Sequence, residues 1–326
     1  MPHSVRLATL LFVSSWLGIH AMSAQAETRV TYKSAASGTA YYQMGVELSE
    51  AIKSGTDDEI VLTLEESQGS VQNVMEVAAR TGNYVFTTPP GLVEQALAGE
   101  GDFAERPSPN FQEIRGLFPI PSITMHWVVA NEDGDDDDGV IAMEDLAGQE
   151  ILIGRGTFGA REAERYIELF DLAGDIEIAD AEIGSGPDAL KNGQIDGFVT
   201  ASSFPTPNVI ETASSMPISL VSLTEEQIES TGATPQTIPA DTYAGVEADV
   251  ETTSLPVIAY TTTRMDDDTA YAITRTFWER RDAMAEESSW WEVIDPEMLE
   301  SMAGELHPGA LRYYEEAGID VPESLR

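Results

Sequence analysis

Three times in this chain a short apolar run gives way to a glycine-containing turn and then to a helical pattern. Arg29–Lys33 leads through Ser37, Gly38 and Thr39 into a helix from Tyr42 to Ile52. Ile60–Leu64 leads through Ser67, Gln68 and Gly69 into a helix starting at Ser70. Glu150–Ile153 leads through Gly154, Arg155, Gly156 and Thr157 into a helix with Ala163, Tyr166, Ile167, Leu169 and Phe170 on its apolar positions. Each unit reads as strand, turn and helix, an alternation that restricts the chain to the α/β class. Each turn also gathers hydroxyls and unsatisfied backbone N–H groups at a helix start, where an anion is favoured. In open α/β sheets, ligands bind at the carboxyl ends of strands, where these turns lie.

The third turn spells G-x-G-x-x-G through Gly154, Gly156 and Gly159. A dinucleotide fingerprint sits in the first βα turn of its domain, with an acid about 20 residues on. Here the string comes late, and Asp175 or Glu177 is one acid among many. Its general physics, close backbone approach to an anion, is retained for a small carboxylate.

Residues 1–26 read as a cleavable export signal: Arg6, an apolar stretch from Leu7 to Ile19, and Ala24-Gln25-Ala26 before the cleavage point. That stretch is too short to span a bilayer. The mature chain is expected to begin at Glu27 and to act in the periplasm. The sequence has no cysteine, which removes disulfides, thiolate metal sites, a thiol nucleophile and a lipid-anchoring cysteine. Its formal net charge is −40, and Lys33, Lys53 and Lys191 are its lysines. A surface so acidic repels nucleic acid and anionic lipid, and no nucleic-acid partner is expected.

Further strands are predicted at Tyr84–Phe86, Ile123–Ala130, Ile176–Ile178, Gly197–Thr200, Ile218–Leu223 and Val257–Thr261. Helices are predicted at Gly91–Leu97, Pro187–Asn192, Thr206–Thr212, Tyr271–Met284, Pro296–Met302 and Gly309–Ala317. The Thr-, Pro- and Gly-rich stretch 231–256 reads as irregular. Two α/β stretches and a helical tail suit two lobes joined by crossing strands near Ile123–Ala130 and Pro256–Tyr260. The expected lobes are 27–124 plus 257–326, and 125–256.

Acids at Asp133, Asp135, Asp137 and Glu144 have the spacing of a calcium loop, but Asp138 replaces its glycine and Ile141 cannot serve as its ninth residue. A solvated loop is expected, without metal. After the leader the chain has two histidines, His126 and His307, and neither sits in a catalytic spacing. No enzyme activity and no cofactor are expected.

Several ordered blocks resemble the TAXI class of TRAP-transporter solute-binding proteins. SGTAYYQMG (Ser37–Gly45) is similar to that family's GG-T-YY-x-x-G entry, SQGSVQN (Ser67–Asn73) to its GGSxxN turn, and GRGTFGAR (Gly154–Arg161) to its G-x-x-G-S-G-T-R. DALKNGQIDGFV (Asp188–Val199) is similar to A-L-K-x-G-Q-I-D-A-F, while TIPADTYAG (Thr237–Gly245) and LHPGALRYYEEAG (Leu306–Gly318) match late blocks. Thr87-Thr88-Pro89-Pro90, Arg155 and Phe158 depart from the family pattern.

The resemblance implies a type II-like, two-lobed periplasmic binding fold that closes on its solute. It also implies a monomer that hands a small carboxylate, glutamate or a related dicarboxylate or 2-oxo acid, to a membrane permease with a large and a small subunit. Ser37, Gly38, Thr39, Tyr42, Gln68, Ser70, Asn73 and Thr88 are expected on one lobe's wall. Arg155, Gly156, Thr157 and Phe158 would face them, with Ser202 and Phe204 nearby. Tyr41, Tyr42 or Phe158 would wall the cleft, and Arg155 either clamps the carboxylate or pairs with a surface acid. The rival readings are a binding protein that reports to a membrane sensor and an exported enzyme on the same fold.

Overall fold

The computed structural model describes residues 27–37, 39–131 and 138–326. The expected leader, Gly38 and the acids at 132–137 lie outside the described residues. The chain opens with β1 (Thr28–Lys33), α1 (Ala40–Gly55), β2 (Ile60–Glu65), α2 (Ser70–Val77), β3 (Tyr84–Thr88), α3 (Pro90–Ala98) and the long β4 (Ile114–Ala130). It continues through β5 (Val140–Ala142), β6 (Glu150–Leu152), α4 (Phe158–Leu169), β7 (Glu177–Ala179), α5 (Gly186–Lys191), β8 (Gly197–Ser202), α6 (Pro207–Ser215), β9 (Ile218–Ser222), α7 (Glu225–Thr231) and β10 (Thr234–Ile238). The second long strand, β11 (Val250–Thr262), precedes α8 (Asp267–Glu287) and α9 (Pro308–Ala317).

β1 lies parallel to β2 and β3, and β6 parallel to β7 and β8. β4 and β11 run antiparallel to each other and join the two parallel groups in the order β2-β1-β3-β11-β4-β8-β6-β7. One hydrophobic cluster draws its members from Val30 to Ile123 and from Val257 to Leu325. Two more draw theirs from Met125 to Val250. The division makes two lobes, each with its own core, and β4 and β11 both pass between them.

The β4–β11 ladder is broken at the crossing. Ser254 pairs with Thr124 and Leu255 with Ile123, but Val257 pairs with Ile120, leaving Pro256 outside the register. Proline has no N–H to contribute to a ladder, so a bulge at this point is its ordinary consequence. The stretch read as irregular, 231–256, is corrected: it holds β10 and the first half of β11. Its strand residues are polar but satisfied. Thr252 Oγ1 donates to the Met125 carbonyl at 2.8 Å, and Thr253 Oγ1 lies 2.7 Å from the Tyr166 hydroxyl. The helix predicted at Pro296–Met302 is a 3-10 turn over Pro296–Ser301.

Both histidines have structural places. His307 caps α9 by accepting the Gly309 N–H. His126 is 1% exposed, on β4. Its Nδ1 lies 3.0 Å from the Thr124 carbonyl and therefore carries the proton. Its Nε2 then accepts the Tyr243 hydroxyl at 2.9 Å, and the Tyr243 oxygen accepts the Thr206 N–H. Burial holds the His126 pKa down to about 4 against an ordinary 6.5. The folded state thus binds fewer protons than the unfolded chain between pH 6.5 and 4, and stability falls as pH drops through that window. Chemical denaturation at pH 7, 5 and 4 should show about 3 kcal/mol of this loss disappearing from the pH profile of His126→Gln. An unchanged profile would remove His126 as its source.

Candidate functional site

The cleft between the lobes holds a cavity of about 70 Å³. Three helix starts meet on it. Thr39 is the N-cap of α1, Gly69 and Ser70 begin α2, and Thr157, Phe158 and Gly159 begin α4; all six line the cleft. Side-chain hydroxyls cap the first and third of these helices. Thr39 Oγ1 accepts the Tyr42 N–H at 3.3 Å, and Thr157 Oγ1 accepts the Ala160 N–H at 3.0 Å while donating to the Gly154 carbonyl. First-turn N–H groups of a helix have no intrahelical acceptor and carry its positive end.

The glycine string explains how α4 reaches this place. Gly154 and Gly156 have φ of 77° and 75°, the left-handed region that other residues adopt at a cost. At Gly159 a Cβ would stand 2.7 Å from the Ala201 Cβ, so only glycine lets the start of α4 lie this close against β8. Phe158 then crosses to pack on the first lobe's core.

Of the residues expected from sequence, Thr39, Gln68, Ser70, Thr157 and Phe158 line the cleft together. Asn73 does not line it and acts as a tie. Its Nδ2 donates to the carbonyls of Ser34 (2.7 Å) and Thr87 (2.9 Å), joining α2 to the ends of β1 and β3. Ser202 is buried and accepts the Ala40 N–H across the cleft at 3.2 Å, so it joins the lobes rather than lining the cavity. Thr88 is fully buried off the lining, while Ser37 and Gly156 are exposed and Tyr42 is half-buried. Phe204 lines a different groove, with Pro121 and Trp290. Gly38 lies outside the described residues.

Arg155 takes the second of its two expected places, against a surface acid. Its side chain is 61% exposed and forms an ion pair with Asp180. The two left-handed glycines beside it reverse the chain, and Arg155 leaves the turn on the solvent side. It is not among the residues lining the cleft.

Sequence reasoning misses Ser34, just beyond β1, Thr87, near the carboxyl end of β3, and Thr200, within β8. The strand-end rule is the signal that could find them. It also misses the hydrocarbon of the lining, from Ile123, Ile183, Val199, Ala201 and Val257. Tyr41 lines the cleft too, its hydroxyl donating to the Pro121 carbonyl at 2.5 Å. Burial raises its pKa well above the ordinary tyrosine value, so the hydroxyl stays protonated. Among the described residues, no acid, lysine, arginine or histidine lines the cleft.

At the cleft's edge, Arg161 on α4 pairs with Asp102 of the first lobe. With the Ala40–Ser202 bond and the Trp290 Nε1–H donated to the Pro205 carbonyl at 3.1 Å, this pair joins the lobes.

Among solved structures, the chain is similar to the periplasmic binding protein BugD, at 12% identity over 90% of this chain and 99% of that one, with a TM-score of 0.55. It also matches an ancestral arginine-binding protein bound to arginine (11% identity, 85% and 98% covered, TM-score 0.47). A TRAP periplasmic solute-binding protein from Ochrobactrum anthropi matches at 15% identity, with 90% and 88% covered and a TM-score of 0.44. The BugD likeness shows the fold, a mixed α/β type II periplasmic binding-protein fold. The NMT1-like family model matches residues 33–318, most of the chain, and the protein belongs to the NMT1-like family.

Proposed function

We propose that this protein is the periplasmic solute-binding component of a TRAP transporter, exported by its leader and passing a small organic acid from the interlobe cleft to a membrane permease. The carrying observation is that three helix starts, two from one lobe and one from the other, line a single interlobe cleft. A carboxylate there would accept hydrogen bonds of roughly 1.5–3 kcal/mol each from first-turn backbone N–H groups of helices on both lobes at once. A ligand that contacts both lobes favours the closed state, which is the state a permease would read. The resemblance supplies the wider class of solute: glutamate, related dicarboxylates or 2-oxo acids. The described lining offers no general base to any of its hydroxyls, so capture without turnover is the reading the cleft supports. We place the moving bodies at 27–124 plus 257–326 and at 125–256.

A thermal-shift panel of short mono- and dicarboxylic, 2-oxo and amino acids tests this. At least one should raise Tm by about 5 °C when present at a hundred times its Kd; no shift with any acid would end the proposal. Calorimetry should then give about tenfold weaker binding for Thr157→Val, which loses the cap that orders the start of α4 at the cleft. Arg155→Ala should change affinity less than about twofold, as expected for an exposed ion pair that does not line the site.

Closure has its own test. If the Asp102–Arg161 pair forms only when the lobes close, its contribution adds to solute affinity. At its partial exposure such a pair contributes roughly 0.2–1 kcal/mol, so Arg161→Ala and Asp102→Ala should each weaken binding by about 1.4-fold to fivefold. The double variant should lose no more than either single one. Additive losses would show that the two side chains act separately.

A further inference from the structure

We infer that the cleft selects a monocarboxylate with a short apolar chain over the dicarboxylate of the same length; the inference rests on the cleft being the solute site. The described residues lining it are all uncharged. Hydroxyls and helix starts supply its polar part, at Thr39, Ser70 and Thr157, and Ile123, Val199 and Val257 supply hydrocarbon. The cations that flank the lining in sequence are engaged elsewhere. Lys33, beside Ser34, is 2% exposed and lies between Glu65 at 2.8 Å and Glu76 at 2.9 Å. Arg155 pairs with Asp180, and Arg161 with Asp102.

One carboxylate can be held by neutral dipoles, because helix N–H groups and hydroxyls hydrogen-bond an anion without a counter-charge. A second carboxylate at the far end of the solute would be desolvated among aliphatic side chains with no cation to meet it, a penalty that exceeds what an ordinary hydrogen bond returns. The methyl terminus of a monocarboxylate gains there instead. The formal net charge of −40 acts in the same sense, since each added negative charge on the solute increases the repulsion it meets on approach. The cavity of about 70 Å³ has room for several water-sized groups, which suits a short chain.

Calorimetry on the chain from Glu27 onward, at physiological ionic strength, tests the inference with three matched pairs: butanoate and succinate, pentanoate and glutarate, 2-oxopentanoate and 2-oxoglutarate. Wherever a pair binds, the monocarboxylate should bind at least tenfold tighter. A dicarboxylate that binds equally or more tightly overturns the inference while leaving the organic-acid reading intact. If no acid of any kind binds, the proposed function fails and this inference with it. The uncharged 2-oxopentanamide should bind at least tenfold more weakly than 2-oxopentanoate; equal affinity would overturn the assignment of an anion to the helix starts. In Ile183→Arg, which keeps the Cβ packed at Gly154 and adds a cation to the hydrocarbon lining, the preference should move at least tenfold toward 2-oxoglutarate. An unmoved preference would show that the missing cation is not what sets it.

Discussion

Pro256 has no N–H to offer β4, and the ladder between the two long strands slips where the chain passes from one lobe to the other. The lobes are joined through backbone hydrogen bonding along β4 and β11, whose register shifts at Pro256 and again between Ala259 and Tyr260. A bulge at the crossing interrupts the ladder and concentrates twist there. Pro119 and Pro121 on the facing strand remove two more donors from the same region. The cleft lies beside this point, with Ile123 and Val257 in its lining. Its geometry therefore follows from how the ladder is interrupted, and the contacts between the lobes only select among the arrangements that interruption permits.

Much of this architecture is legible in the sequence, because the α/β units carry local signals that tertiary packing reinforces. The helix starting at Ser70 begins where the sequence places it, and the strand Ile60–Leu64 lies within one residue of its observed bounds. The first half of β11 is not legible, for a chemical reason. Thr252, Thr253 and Ser254 are buried, but hydropathy patterning counts them as polar. Hydrogen bonds from Thr252 to Met125 and between Thr253 and Tyr166 satisfy two of their hydroxyls, and no local window of sequence contains those partners.

The site divides in the same way. Thr39, Ser70 and Thr157 can be found from sequence because a hydroxyl at a helix start has a local function. For Asn73 the sequence indicates the right neighbourhood and the wrong role. Its amide ties three chain segments together behind the cleft instead of facing a solute. Arg155 draws attention because a cation beside a glycine turn stands out in so acidic a chain. Its direction is decided by two positive-φ glycines and by Asp180, which lies 25 residues further along. Neither the handedness of the turn nor its partner follows from composition.

The cations are used for a different purpose from the one their scarcity suggests. Lys33 is buried between two glutamates at the end of β1, and Arg80 bridges those same two acids, so this cluster fixes the floor of the first lobe. Arg161 is committed to Asp102 across the cleft's edge. Binding and closure are thereby assigned to different physics. Neutral dipoles from helices on both lobes meet in the cleft, whereas charge pairing acts at its rim, outside the cavity. A rim pair adds little energy by itself. Under the proposed closure, a pair placed on two lobes would have its full effect only when they meet, which is how a small energy could favour one conformation over another.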